Sequence, residues 1–258
     1  GCDAATTKAA LECEGRMSAE VSSIARSARP APSTEGLFVV DVDKERFARL
    51  STWVSGAPLS SFRSRKPLPA LARAYGLALG RVVQSLERFD DGGVAAKRPL
   101  AWDLRRAPEL EAYLPYVADP TRRALAERAL ARFPAALTAL LLLEEDATPK
   151  QQQVIHGDAN DENVLVDEKE EEGSYSLGFV DFGDFVVAPR VFELAIGLAY
   201  TLMFDKDSDG VRAELDEVVA GFTAVVPLSE AELAAIVPLA MTRNVQTVLN
   251  AAYRSHLD

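Results

Sequence analysis

The stretch Val154-Ile-His-Gly-Asp-Ala-Asn-Asp-Glu-Asn-Val-Leu-Val166 sets His156, Asp158, Asp161 and Asn163 between two apolar runs. Further on, Gly178-Phe-Val-Asp-Phe-Gly-Asp184 adds the carboxylates of Asp181 and Asp184. Phosphoryl transfer from a nucleotide needs such a set. One carboxylate accepts or orients the proton of the attacking hydroxyl, and oxygen ligands hold Mg2+ on the phosphates. Asp158, on a loop leaving a strand, is placed to be the base. Asn163 offers a neutral carbonyl oxygen at the start of the next strand, and Asp181 a charged oxygen at the end of the one after. A few hard oxygen donors, completed by water and phosphate, suit Mg2+. From average residue usage, H-G-D-x-x-x-x-N arises by chance in about one chain of this length in a thousand. The second run makes the combination rarer.

Each residue also has a plainer reading. His156 reads better as a buried, hydrogen-bonded imidazole under the loop than as a proton carrier. Asp158 and Asn163 are turn formers, which explains either alone but not their spacing together with Asp181. Asp161 and Asp184 either meet an ammonium group on a substrate or hold the loop through backbone N–H groups. Competing chemistries lack their parts. There is no G-x-S-x-G elbow, no GxxxxGK[ST] and no GxGxxG. The only other histidine is His256, too little for a His–Asp metal site.

The elements that must position these groups follow from periodicity. Residues 8–28 read as a modestly amphipathic helix, stopped by Pro30 and Pro32. Leu37–Val42 and Arg46–Val54 read as two strands of a hairpin, and Ser55-Gly-Ala-Pro58 as a turn or linker. Helical patterns cover 69–89, 106–117, 120–145, 191–204, 210–224 and 229–256, with short strand-like runs VIH, NVLVD and LGFVDF between them. The acidic run Asp167–Gly173 reads as a solvated hairpin turn. The fold class is α+β: a small head of helix plus hairpin, then a large, mainly helical body with inserted short strands.

Composition sets the outer bounds. With 258 residues the chain can bury a sizeable core. A net charge of −11 argues against nucleic acid, which needs clustered Lys and Arg. No apolar run reaches the ~18 residues of a membrane helix. Cys2 and Cys13 read as reduced thiols in a cytoplasmic protein.

HGDANDEN followed by FVDFGD resembles the aminoglycoside phosphotransferase and choline kinase group, which has the protein-kinase-like fold. Leu50-Ser-Thr-Trp-Val-Ser-Gly56, Ala101-Trp-Asp-Leu-Arg-Arg-Ala-Pro108 and Val191-Phe-Glu-Leu-Ala-Ile-Gly-Leu-Ala-Tyr200 resemble its hydroxylysine kinase branch, and the kinase domains fused to class III aminotransferases. The resemblance implies a partial small lobe and hinge over residues 1–56 and a helical large lobe over 57–258. It implies Asp158 as catalytic base, His156 as a structural member of the loop, and Asn163 and Asp181 as Mg2+ ligands. Thr52, Trp53, Val54 and Ser55 become a hinge whose backbone meets the nucleotide base.

Glu14 falls where such kinases place the glutamate that pairs with a phosphate-binding lysine; a solvent-facing helix charge is the alternative. That lysine and a phosphate-covering loop normally precede the helix, so the front strands of the small lobe are expected to be missing, from a fragment or a truncated product. Lys8, on the same helix, is too near to be the partner. An exposed apolar face on the small lobe is the expected trace, and association with a missing N-terminal segment would cover it.

The implied donor is ATP or GTP, and the implied acceptor a small alcohol bearing an amine. 5-Hydroxylysine leads, with an aminoglycoside, choline or ethanolamine, or a non-catalytic kinase remnant, as alternatives. An amino-acid acceptor wants a guanidinium for its carboxylate. Arg105 and Arg106, beside Trp102, are the candidates; a surface arginine pair is the plainer reading.

Overall fold

Asp3 accepts a hydrogen bond from the Thr6 N–H at 2.7 Å and so caps α1 (Ala4–Val21). This computed structural model describes residues 3–62, 68–142, 152–169, 173–201 and 208–257. The buried face of α1, including Cys13, Met17 and Val21, packs into the main core. The helix stops at Val21, earlier than its sequence pattern, because the chain turns into β1 (Arg26–Ser27). That short strand runs parallel to β9 (Tyr175–Phe179) of the large lobe. Pro30-Ala31 does more than stop a helix: it forms β2, antiparallel to β5 (Leu50–Ser51). A proline at the first position of a short strand removes little from the ladder.

The expected hairpin forms only over β3 (Val40–Asp41) and β4 (Phe47–Ala48). Its turn is held by Asp43 Oδ1, which accepts the Glu45 and Arg46 N–H groups at 3.0 and 2.9 Å. Leu37, Phe38, Val40, Val42 and Leu50 are exposed, and Trp53 is 90% exposed.

Ala57-Pro58, read as a turn, is β6 and pairs with β8 (Val164–Glu168). The resulting sheet has the order β1-β9-β8-β6 and ties the small lobe to the strands that follow the polar loop. The β8–β9 hairpin closes with the Lys169 N–H on the Ser174 carbonyl at 2.9 Å; residues 170–172 of the acidic run lie outside the described ones. β7 (Gln152–Ile155) pairs antiparallel with β10 (Val186–Pro189), a strand the sequence pattern did not reveal.

The helices are α2 (Pro69–Ser85), α3 (Pro120–Leu142), α4 (Val191–Thr201), α5 (Ser208–Thr223) and α6 (Glu230–Leu257). The helical pattern at 106–117 is instead a run of 3-10 turns, Leu104–Tyr116, with Pro108 and Pro115 inside it. Proline has no N–H to donate to an i−4 carbonyl, so an α-helix cannot pass through both.

One core joins helices α1 to α6 and the strands through Met17, Leu79, Phe133, Ile155, Phe179, Leu194, Phe222 and Leu239. A smaller cluster of Ala107, Leu110, Leu130 and Leu249 packs the 3-10 segment between α3 and α6. Cys13 is a free, buried thiol, and burial pushes its pKa up to about 11. The thiolate is the reactive form. In a Cys2→Ser variant at pH 8, Cys13 should therefore resist a thiol-exchange dye in the native state and react at once on unfolding. Rapid labelling of the folded protein would contradict its placement.

Candidate active site

His156 leaves β7 with 0% exposure. Its Nε2 lies 3.0 Å from the Val180 carbonyl, and its Nδ1 accepts the Asp158 N–H at 3.3 Å. Phe182 packs on the ring at 4.5 Å between centroids. With both ring nitrogens engaged by backbone, the imidazole serves as scaffold for the loop. Gly157 follows with φ +79, and a Cβ there would collide with the Asp184 carbonyl, so only glycine fits. The Gly157 N–H donates to Glu193 Oε2 at 3.1 Å. Glu193 is fully buried on α4. Burial pushes its carboxyl up, while His156 and the backbone amides of Gly157 and His156 pull it back. A glutamate inside the apolar run Val191–Tyr200 is itself a signal, since a charge is seldom buried without partners. The sequence reading gave it no role.

Asp158 is held at both oxygens. Oδ1 accepts from Arg243 Nη2; Oδ2 accepts from Asn160 Nδ2 at 2.9 Å and Asn163 Nδ2 at 3.2 Å. Asn160 also caps the loop, its Oδ1 accepting the Glu162 and Asn163 N–H groups at 2.8 and 3.0 Å. Burial pushes the Asp158 carboxyl up, Arg243 pulls it down, and Asp184 and Asp181 push it up again, to about 6.

The Asn163 carbonyl accepts the Val180 N–H at 3.1 Å, and Val164 is in register with Phe179. That register sets Asn163 opposite Val180, the residue before Asp181. Asp181 does not end a strand as expected: β9 stops at Phe179, and Asp181 sits in the left-handed region at φ 59, ψ 69. It is the sole non-glycine residue with positive φ among the described residues. Such a conformation is costly and marks a position the surroundings enforce. Its Oδ1 accepts the Gly183 N–H at 3.3 Å and caps the 3-10 turn Phe182–Asp184. At Asp184, burial raises the carboxyl first, Arg243 opposes it, and Asp181 raises it further.

The remaining candidates divide. Asp161 is buried, and its carbonyl accepts the Ser60 N–H at 3.0 Å, fastening the loop to the turn at Leu59–Phe62. Trp102 stacks on the Arg243 guanidinium at 4.7 Å. Arg105 and Arg106, the candidates for an acceptor carboxylate, are engaged by local partners instead: Arg105 grips Asp103 at 2.6 Å and Arg106 grips Glu109 at 2.6 Å, with both guanidinium groups exposed. The arginine that does reach Asp158 is Arg243, which sequence reasoning missed. Its signal was its place on the buried stripe of α6, with Ile236, Leu239 and Ala240.

In the 52–54 segment, the Thr52 N–H is taken by the Arg29 carbonyl at 2.9 Å and its Oγ1 accepts the Arg29 N–H at 2.9 Å. The backbones of exposed Trp53 and buried Val54 follow it. A cavity of about 700 Å3 behind this segment, lined by Arg26, Thr52, Val54, Arg81 and Tyr175, contains none of the polar-loop residues. A smaller cavity is lined by Glu14, Arg49, Ser51, Asp181 and Phe182. Glu14 is buried there and pairs with Arg49. Lys8 instead binds Asp41 at 2.8 Å. Burial raises the Glu14 carboxyl and Arg49 lowers it.

No group of three or more His, Cys, Asp and Glu forms a metal cage among the described residues. The donors present fit an ion that keeps water and phosphate oxygens. Asn163 commits its side-chain nitrogen to Asp158, which leaves its side-chain oxygen, Oδ1, for a cation. Asp181 is exposed. One carboxylate and one amide oxygen are what Mg2+ takes when phosphates complete its shell.

A helix and short strands above a helical lobe, joined by a connecting segment, with a polar loop and an Asp-Phe-Gly turn at the junction, define a kinase-like α+β fold. The chain belongs to the phosphotransferase enzyme family (APH), whose model matches residues 5–225. It is 29% identical over 222 residues to hydroxylysine kinase of Bos taurus, covering 83% of this chain and 55% of that one. It is 26% identical over 228 residues to hydroxylysine kinase of Mus musculus, with the same coverage of 83% and 55%. The chain thus spans about half the length of these curated relatives.

Among solved structures, amicoumacin kinase hAmiN, in complex with AMP-PNP, Ca2+ and Ami, has a TM-score of 0.67 at 16% identity, over 95% of this chain and 71% of that one. A microcompartment-associated aminopropanol kinase has 0.68 at 17% identity, over 93% and 72%. At such identities these two establish the fold. No helix among the described residues is long and apolar enough to cross a membrane.

Proposed function

We propose that this chain transfers the γ-phosphoryl group of ATP or GTP to the hydroxyl of an amino-bearing alcohol, with hydroxylysine as the leading acceptor. One observation carries the reading: the Asp158 carboxylate is held at both oxygens, one of them by the Asn163 amide, and lies near enough to Asp181 and Asp184 to feel their charge. Hydroxylysine is favoured over other amino alcohols by the 29% identity to a hydroxylysine kinase.

In this reading Asp158 accepts the proton of the attacking hydroxyl, and Asn160 and Asn163 keep its second oxygen oriented. Asn163 and Asp181 would hold Mg2+, which when bound would offset the phosphate charge. His156 and Glu193 fix the loop backbone. The backbone of Trp53 and Val54 meets the nucleotide base, and Glu14 with Arg49 borders the phosphate end. Asp184 and Trp102 form the acceptor side, where an ammonium group finds a carboxylate and an aromatic face.

The test is nucleotide turnover with Mg2+, ATP or GTP, and a panel of hydroxylysine, ethanolamine, choline, 1-amino-2-propanol and kanamycin. Hydroxylysine-dependent turnover that chelation of Mg2+ abolishes is expected. The reading fails if no acceptor raises turnover and no nucleotide raises the melting temperature.

A further inference from the structure

Arg243 is 1% exposed, in the middle of α6, beyond the residues 5–225 that the family model matches. Burying a guanidinium is costly unless well-placed acceptors surround it. Its Nη1 donates to the Trp102 carbonyl at 2.9 Å, and its Nη2 to Asp158 Oδ1 and, at 3.4 Å, to Tyr200 Oη. The rings of Trp102 and Tyr200 lie 4.7 and 5.9 Å from its central carbon. One turn on, Gln246 Nε2 donates to the Asp103 carbonyl at 3.1 Å. One cation therefore joins four pieces of chain: α6, the end of α4, the Trp102 segment and the polar loop.

We propose that Arg243 is the positioning residue that fixes the plane of the Asp158 carboxylate relative to the Trp102 wall. The proposal rests on the kinase reading above. Two neutral amides hold Oδ2, and the guanidinium holds Oδ1; a carboxylate gripped at both oxygens cannot rotate. The fork of Arg243 is what allows one side chain to meet Trp102 and Asp158 together. A lysine at the same place keeps the charge but offers no planar fork.

Steady-state kinetics of Arg243→Met and Arg243→Lys, with the acceptor that the wild-type protein uses, test this. Misplacing a reacting group by about 1 Å costs about 100-fold. The Met variant should lose about that in kcat while its nucleotide KM stays within about twofold. The Lys variant should fall between it and wild type. Full kcat in either variant overturns the proposal, as does an equal loss in both accompanied by a matching rise in nucleotide KM. Should the Met variant not fold, the Lys variant alone carries the comparison.

A second readout is independent of activity: crystal structures of the wild-type and variant proteins. Asp158 should swing off the Asn160 and Asn163 amides when Arg243 is lost. An Asp158 rotamer unchanged from wild type sinks the positioning role even if no acceptor is turned over, whereas absent wild-type turnover without a nucleotide-induced rise in melting temperature sinks only the kinase reading.

Discussion

Asp158→Asn should reduce phosphoryl transfer by about 1,000-fold, the middle of the range for losing a positioned general base. The substitution is isosteric. An asparagine oxygen can still accept from Arg243, but its NH2 group then faces the amide donors of Asn160 and Asn163, so one grip on the side chain is lost. The charge that accepts the proton goes with it. Nucleotide binding should persist, because neither Asn163, Asp181 nor the Trp53 backbone is altered. Kinetics should therefore show a fall in kcat with nucleotide KM nearly unchanged, and nucleotide should still raise the melting temperature.

The pH profile carries the same assignment. Burial puts the Asp158 carboxyl at about 6, with Arg243 opposing the rise. The ionised form is the base, so the wild-type rate should fall as pH drops through 6. A cation on Asp181 and Asn163 moves that limb lower and never higher. A variant retaining a tenth of wild-type turnover, or a limb above pH 7, would count against Asp158 as base.

The parts of this site that could be read in the sequence are those made by neighbours in the chain. His156, Asp158 and Asn163 share one loop, and β8 and β9 form a hairpin, so spacing alone placed Asn163 opposite Val180, next to Asp181 in the chain. The hidden parts join distant segments. Arg243 lies 85 positions from Asp158, and only the docking of α6 brings them together. Arg49 reaches Glu14 because the chain beyond Ala48 leaves the hairpin to pair with Pro30-Ala31. Strands of two residues, such as β1 and β6, have no period to read. The 3-10 run at 104–116 shows the opposite failure: its apolar spacing is helical, but Pro108 and Pro115 decide the hydrogen bonding.

The packing beneath the loop supports the second large effect, on Gly76. This glycine lies on α2 where α5 crosses, and a Cβ there would run into the Val218 carbonyl. Gly221 on α5 meets the Arg73 carbonyl in the same way, so the two helices touch backbone to backbone. Gly76→Ala gains about 1 kcal/mol in helix propensity. It must also force the helices apart where Tyr75, Leu79, Val218 and Phe222 are buried, and overpacking of this kind costs about 3 kcal/mol or more. The separation wins.

Tyr75, the preceding residue, donates its hydroxyl to the Ala159 carbonyl at 2.7 Å, next to Asp158. Displacing α2 should therefore disturb the polar loop as well, so that turnover falls further than the unfolded fraction explains. Gly93→Ala is the control: nothing lies near its added Cβ, and its φ of +74 alone is at issue. That strain costs about 1 kcal/mol and touches no catalytic element. Urea melts should place the Gly76→Ala midpoint well below that of Gly93→Ala, with only the former losing kcat in the folded protein. Equal midpoints would mean that the helices can separate freely, and that the close crossing does not hold the floor of the site.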